Sequence, residues 1–259
     1  MITTHHLFDL QFHDLSDQEL SQTISDYLNG DKPKAIVTPN PEFFLLARHD
    51  QEFKQLLNQA DLALPDGVGL KYAVAALTDQ KLEHRHTGVD TLEYLASTGA
   101  RLALVGGKKE VAEKAVEKLE DKFPNADIVI IDPGKIPEDG TPTTELIEEI
   151  KQKAPKILAV ALGQGKQEKF IAKILPELPS VRIAIGIGGA LDMISGLRPR
   201  APMFMRQIGL EWLWRLFIEP KRWRRIFRAT VVFPIIVISA TITEHRFWKA
   251  CHNVLKELL

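Results

Sequence analysis

Six short apolar runs, separated by polar or glycine-rich turns and by helix-like stretches, constrain this chain more than any other feature of its sequence. They are Ala35-Ile36-Val37-Thr38, Asp61-Leu62-Ala63-Leu64, Arg101-Leu102-Ala103-Leu104-Val105, Asp127-Ile128-Val129-Ile130-Ile131, Lys156-Ile157-Leu158-Ala159-Val160-Ala161-Leu162 and Arg182-Ile183-Ala184-Ile185-Gly186. The runs are continuous rather than alternating, the pattern of strands covered on both faces, as parallel strands are. Helical spacing lies between them. Lys108 to Phe123 carries Val111, Ala115, Leu119 and Phe123 four apart, and Thr143 to Lys153 carries Leu146, Ile147 and Ile150, with Thr144 as a candidate cap. The alternation predicts an α/β fold, a Rossmann-like, mostly parallel sheet flanked by helices. In such sheets ligands bind beyond the carboxyl ends of the strands.

The pattern changes after about Gly196. Strand-like runs stop, and all four tryptophans (Trp212, Trp214, Trp223, Trp248) follow. This predicts an α/β domain over 1–195 and a helical appendage over 196–259, with Leu210 to Arg228 helical and broken at Pro220. Charge divides at the same place. Residues 196–259 hold twelve Lys and Arg against four Asp and Glu, a net +8, which leaves −9 on residues 1–195. A basic appendage on an acidic body points to an anionic partner for the appendage alone.

Other features exclude function classes. A single cysteine, Cys251, forbids an internal disulfide framework and a CxxC zinc site, and fits a reducing compartment. Met1 to Asp9 has neither a basic nor an apolar targeting segment, so no secretory signal is expected. The longest apolar run, Ala229 to Ala240, falls short of the roughly 20 residues of an ordinary spanning helix and is expected to be interrupted at Pro234. No GxGxxG follows the first strand and no Walker A lysine motif is present, which disfavours dinucleotide enzymes and P-loop NTPases.

The turns after the strands hold the candidate chemistry. Thr38 and Asn40, in Thr38-Pro39-Asn40-Pro41-Glu42, either build a turn and cap the next helix or line a pocket. Gly106-Gly107-Lys108 either cradles a phosphate or is an ordinary strand-to-helix turn. Asp66 stands between Pro65 and Gly67. Proline restrains the approach, and glycine lets another molecule come close to the backbone. Asp66 is either a cap for the helix from about Gly69 or a general base at a strand end.

These motifs, with Thr87-Gly88-Val89-Asp90, Gly163-Gln164-Gly165-Lys166-Gln167-Glu168, Gly186-Ile187-Gly188-Gly189-Ala190-Leu191-Asp192, Arg200-Ala201-Pro202 and Leu210-Glu211-Trp212, resemble in order and spacing the WecG/TagA/CpsF glycosyltransferases (glycosyltransferase family 26) over residues 7–228. The pattern is nearest to the TagA-type N-acetylmannosaminyltransferases. The resemblance implies an inverting transfer from a UDP-sugar donor, N-acetylmannosamine first among the candidates, to undecaprenyl-diphosphate-linked N-acetylglucosamine in the synthesis of a bacterial cell-surface polymer, with no metal or other cofactor. It implies that Asp66 is the general base, that Thr38 and Asn40 line the donor pocket, and that Arg85 faces the diphosphate leaving group. Gln167 faces the same pocket, and Arg200, Arg215, Arg222 and Arg225 belong to an appendage that completes the site. Gly67, Thr87, Asp90, Gly106, Gly107, Gly163, Gln164, Gly188 and Gly189 are the remaining expected substrate contacts. The chain departs from the family in having Gln164-Gly165 where Ser-Pro is frequent before Lys-Gln-Glu, and Thr230–Leu259 matches nothing in it.

Lys221, Arg224, Arg225 and Arg228 recur at helical spacing beside Trp212, Trp214, Phe217, Trp223 and Phe227, which suits a helix lying on anionic lipid. The expected place is therefore the inner face of the bacterial cytoplasmic membrane, peripherally bound. Nucleic acid is disfavoured by the acidic body. A non-catalytic, membrane-associated UDP-sugar-binding protein is the alternative, and the oligomeric state, a homo-oligomer included, is left open.

Overall fold

The computed structural model describes residues 2–199, 201–207 and 210–258. The chain opens with a hairpin of β1 (Thr3–Leu7) and β2 (Leu10–Asp14), paired antiparallel with Leu7 opposite Leu10. Phe8 and Asp9 form its turn, both at positive φ (50° and 61°), as a two-residue hairpin connection requires. Six parallel strands follow: β3 (Lys34–Val37), β4 (Leu62–Ala63), β5 (Leu102–Gly106), β6 (Ile128–Ile131), β7 (Ile157–Ala161) and β8 (Ile183–Gly186). Their spatial order is β4-β3-β8-β7-β5-β6. Each predicted apolar run supplies one strand, and the predicted α/β fold with a parallel sheet is the observed one. The hairpin was not foreseen, since Phe8-Asp9 lacks the Asn-Gly or Asp-Gly signal.

The helices of the body are α1 (Asp17–Asn29), α2 (Pro41–Ala47), α3 (Gln51–Gln59), α4 (Val68–Leu77), α5 (Gly88–Ser97), α6 (Lys109–Lys122), α7 (Thr144–Lys153), α8 (Lys166–Ile174) and α9 (Ala190–Ile194). Their starts are set by local chemistry. Ser16 and Glu19 form a reciprocal capping box on α1. At α7 the cap is Thr143 rather than Thr144, because the Thr143 Oγ1 is the oxygen that reaches the Leu146 amide (3.3 Å).

The strands bury both faces, and the period of two assigns alternate residues to different cores. Leu102, Leu104, Ile157, Ala159, Ile183 and Ile185 meet α1, α5, α6 and α9. Ala103, Val105, Leu158, Val160 and Ala184 meet α7 and α8 on the other face. A third cluster joins the hairpin and α2–α4 to the appendage through Phe12, Phe44, Leu70, Phe233, Val237 and Ala250. Each fully buried Leu, Ile or Phe in these layers contributes about 1.5–3 kcal/mol.

Beyond β8 the described chain is helical: α10 (Met203–Gln207), α11 (Glu211–Ile218), α12 (Trp223–Phe227), α13 (Phe233–Thr243) and α14 (Phe247–Leu258). The expected break at Pro220 is present, as a 3-10 turn over Pro220–Arg222. The expected interruption at Pro234 is absent. The chain runs as one helix from Pro220 to Thr243, 24 residues, long and apolar enough to cross a membrane. A π turn over Arg228–Val232 explains this. The Phe233 amide donates to the Arg228 carbonyl five residues back, and the helix widens just where Pro234 has no N–H to give. One side of α13 packs on α4, burying Phe233, Val237 and Thr241. α14 packs on α4 as well, and the Lys71 ammonium of α4 reaches the enclosed Glu257 carboxylate at 2.8 Å.

Phe12 ties these parts together. It is fully buried, stacks on His5 (5.5 Å) and meets the Phe44 ring edge-on (6.2 Å). Phe12→Ala is expected to cost about 3–5 kcal/mol of folding free energy, measured as a lowered urea midpoint at unchanged slope.

Candidate active site at the carboxyl ends of the sheet

Because the strands are parallel, the turns that follow them come to one rim. β4, β3, β8 and β7 are neighbours there, so the segments after Val37, Ala63, Gly186 and Ala161 stand side by side. Backbone hydrogen bonds lock them together. The Leu64 amide donates to the Val37 carbonyl (2.8 Å), the Asp66 amide to Pro39 (2.8 Å) and the His86 amide to Pro65 (3.2 Å). Asp66 is thus held between the Thr38–Pro41 turn and the segment bearing Arg85. Its side chain is half-buried.

Asp66 stands one residue before the cap position of α4. The residue in the cap position is Gly67, at φ 90°, which has no side chain to cap the helix with. Gly67 and Gly69 let α4 begin against Pro41, whose Cγ would lie 2.8 Å from a Cβ on Gly69. At the cap position itself, then, the capping reading does not apply to Asp66. It holds for Asn40, whose Oδ1 accepts from the Glu42 (2.9 Å) and Phe43 (3.2 Å) amides at the start of α2. Thr38 is buried beneath it. Thr87 likewise caps α5, and its hydroxyl donates to Asp90 (2.6 Å).

Arg85 is exposed, one residue before His86, whose amide is bonded to Pro65 next to Asp66, and among the described residues it has no ion-pair partner. The segment that carries it is anchored from below. Asp14, at the end of β2, accepts from the Glu83 amide (2.7 Å), the His84 amide (2.9 Å) and the His84 Nδ1 (2.8 Å). Buried His86 meets the Leu15 carbonyl through its Nε2 (2.7 Å). Burial alone would push the Asp14 carboxyl up, but these three hydrogen bonds outweigh it and hold the group below its ordinary 3.8.

The glycine turn after β8 is the centre of the rim. Gly88, at the start of α5, lies against Ile187, with 3.5 Å from its Cβ position to the Ile187 carbonyl oxygen. Gln167 is buried, its Oε1 accepting from the Gly188 amide (3.0 Å) and its Nε2 donating to Glu168 (2.7 Å). Its amide therefore acts on the pocket through the turn it holds. Gly163 and Gly165, at φ 89° and 86°, shape the neighbouring loop, and Gln164 there borders a groove with Leu45, Leu46, Arg225 and Arg228. Gly106 and Gly107 stand farther along the rim. Gly107 donates to the Ala161 carbonyl (3.1 Å), and a Cβ on it would press on Leu191 (2.9 Å).

The appendage returns to this rim. Arg215 and Arg222 line a small cavity with Gly189, Asp192 and Glu219, and Arg222 lies 3.6 Å from the Cβ position of Gly189. Glu219 accepts from Arg222 (2.6 Å) and Arg198 (2.9 Å), and Asp192 from Arg198 (2.9 Å). Arg225 reaches Glu42 on α2 through its Nη2 (2.5 Å) and through its Nε–H, shared between the two carboxylate oxygens (3.0 and 3.1 Å), and these bonds raise the guanidinium above its ordinary value. Arg200 lies outside the described residues. Sequence reasoning missed Asp14, Glu42 and Glu219. Glu42 stands in a recognised motif, but nothing local to it announces a partner 183 residues away.

Residues 5–246 match the Glycosyl transferase WecG/TagA/CpsF family, which corrects the expectation that nothing from Thr230 onward belongs to it. A Bacillus spizizenii N-acetylglucosaminyldiphosphoundecaprenol N-acetyl-beta-D-mannosaminyltransferase is 33% identical over 221 residues, 82% of this chain and 84% of its own. Proteins of the same name from Bacillus subtilis (32% identical, 77% of each chain) and Staphylococcus aureus (30%, covering 83% of this chain and 82% of its own) are also similar.

Asp14 carries a testable consequence. Its folded-state pKa is depressed, so the stability it contributes is present above pH 3.8 and is lost as pH falls through the folded value. Asp14→Ala is expected to abolish that acid-dependent part of the unfolding free energy and to raise amide exchange at Glu83 and His84, read by hydrogen–deuterium exchange.

Proposed function

The chain belongs to the WecG/TagA/CpsF glycosyltransferase family, and from that premise we propose that it moves an N-acetylmannosaminyl group from a UDP donor to undecaprenyl-diphosphate-linked N-acetylglucosamine at a membrane surface. The activity carried in the relatives' names supports the sugar and the acceptor. The observation that carries the reading to this chain is the rim itself, where one carboxylate at a strand end, Asp66, shares an edge with Arg85, Arg215 and Arg222.

In this reading Asp66 takes the proton of the acceptor hydroxyl while that oxygen attacks the anomeric carbon of the donor. The bond from that carbon to the UDP oxygen breaks in the same displacement, so the configuration inverts. Negative charge gathers on the departing diphosphate, and Arg85 and the appendage arginines offset it. Thr38 and the glycine turns shape the donor pocket. The arginines supply the charge compensation, so the reading calls for no metal or other cofactor, and EDTA should leave turnover unchanged.

The membrane part of the proposal rests on the helix Pro220–Thr243. Trp223, Phe227, Val231, Ile235, Ile238 and Ile242 recur at spacings of three and four and are all exposed, Ile235 at 58%. The exposed cations Lys221, Arg224 and Arg228 stand at its first half. An exposed apolar stripe beside basic residues suits anionic lipid, at about 1 kcal/mol for each cation near the surface. The opposite side packs on α4, so the helix lies along the membrane rather than across it.

Incubation with UDP-N-acetylmannosamine and a lipid-diphosphate-N-acetylglucosamine analogue should release UDP only when the acceptor is present. Asp66→Ala should lower that rate by about 10²–10⁴-fold while UDP binding stays near wild type. UDP binding with no transfer to this acceptor from any UDP-hexose or UDP-hexosaminuronic acid would favour the non-catalytic alternative. Ile235→Asp with Ile238→Asp should weaken sedimentation with phosphatidylglycerol vesicles; unchanged sedimentation would place the lipid contact elsewhere.

A further inference from the structure

We propose that Glu168 is a positioning residue for the transfer reaction: its carboxylate fixes the Gln167 amide and, through it, the glycine turn Gly186–Gly189 at the carboxyl end of β8. The inference rests on the function proposed above for its kinetic meaning, but its geometry stands on its own.

Glu168 is fully enclosed at the first turn of α8 and holds two donors. Its Oε2 accepts from the Gly165 amide (2.7 Å) and its Oε1 from the Gln167 Nε2 (2.7 Å). The orientation of Gln167 follows from chemistry. The Gly188 N–H can only donate, so the Gln167 atom facing it at 3.0 Å is the amide oxygen, and the amide nitrogen faces Glu168. The group at position 168 must therefore accept from two donors at once. A carboxylate does this. A glutamine has one carbonyl oxygen and would set an N–H against either Gly165 or Gln167; if Gln167 turned over to relieve the clash, its own N–H would meet that of Gly188. An aspartate is one methylene too short to reach both. The chain Gly165–Glu168–Gln167–Gly188 ends in the turn whose Ile187 meets Gly88 on one side and whose Gly189 lies under Arg222 on the other.

Two further observations point the same way. Gly186 has no side chain where one would strike this pair: a Cβ there would stand 2.5 Å from the Gln167 Nε2 and 2.8 Å from the Glu168 Oε1. The carboxylate is also held at a cost. Burial pushes Glu168 up to about 7, against the hydrogen bonds from Gln167 and Gly165 that pull it down. The folded state thus binds this proton more readily than the unfolded chain, and ionising Glu168 costs stability as pH rises from 4.5 towards about 7. The charged groups nearest along the packed elements are engaged elsewhere: Lys166 with Glu138, and Lys169 with Asp50 and Glu52 of α3. Among the described residues no cation pairs with Glu168; N–H donors, those of Gln167 and Gly165 first, hold its charge.

The test uses the full chain and three readouts. Glu168→Gln should lower kcat by about tenfold or more, the loss that one misaligned hydrogen bond to developing charge brings, with KM for UDP-N-acetylmannosamine nearly unchanged. The wild-type rate should rise as pH passes through about 7, and that limb should be absent in the variant. Gly188 amide exchange should be slow in wild type and fast in Glu168→Gln. Gly186→Ala provides a second arm, since it crowds the Gln167 amide and the Glu168 Oε1 together; it should reproduce the kcat loss without removing the charge. Unchanged Gly188 protection in Glu168→Gln would overturn the inference whatever the kinetics show. So would a wild-type kcat and pH profile in that variant, or full activity in Gly186→Ala. If the wild-type protein transferred no sugar at all, the proposed function would fall, and the Gly188 exchange would still decide the wiring of the turn.

Discussion

Everything at the site depends on six strands running in one direction. A parallel ladder places every carboxyl end, and the turn that leaves it, on the same rim, and it demands helices on both faces. The same constraint that makes the strands uniformly apolar therefore gathers Thr38, Asp66, Gly107, Gly163 and Gly188 at one edge, although 150 residues separate the first from the last. Hydrogen bonds across the rim, Asp66 to Pro39 and His86 to Pro65, then fix a carboxylate beside a segment carrying a cation.

The rim is a place where charge is distributed between two parts of the chain. The body is acidic and the appendage basic, and the structure shows where the two meet. Glu42, Asp192 and Glu219 hold Arg225, Arg198 and Arg222, while the apolar residues Phe233, Val237 and Ala250 enter the core shared by the hairpin and α2–α4. The apolar contacts set where the appendage sits, and the ion pairs aim its arginines. Exposed pairs of this kind add little stability on their own. Their use is orientation: carboxylates keep guanidinium groups in place where, in the proposed reaction, a diphosphate would draw on them.

Support beneath the rim comes from buried polar groups. Asp14 satisfies three donors of the 83–84 segment, and Glu168 satisfies two around the glycine turn. Buried carboxylates of this sort cost free energy unless their lone pairs are used. In both cases they are used to hold backbone that bears or borders a proposed reacting group. The π turn before Pro234 has a comparable logic, because widening the helix at one place lets an apolar face continue along 24 residues.

Much of this was legible in the residues. Strand positions followed from continuous apolar runs, because a strand buried on both faces has no polar face to show, and the importance of the strand-end turns followed from the parallel sheet that those runs imply. The order of the motifs gave the family. Other features lay beyond any local pattern. The hairpin turn at Phe8-Asp9 has no turn signal, since its positive φ values are imposed by packing of β1 and β2 against α3, α4 and β4. Asn40 had two readings, Thr87 was expected only as a substrate contact, and the geometry showed both as helix caps. Asp66 had two as well, and only the structure put Gly67 rather than Asp66 in the cap position. Pairings such as Arg225 with Glu42 join residues far apart in the chain, and no local rule connects them. Sequence by itself determined the strands, the parallel sheet and the edge at which to look, because burial and periodicity are local properties. The tertiary structure alone decided which polar side chains hold backbone, which face the rim, and which appendage arginines come back to it, because those outcomes depend on distances between elements that the chain brings together only when folded.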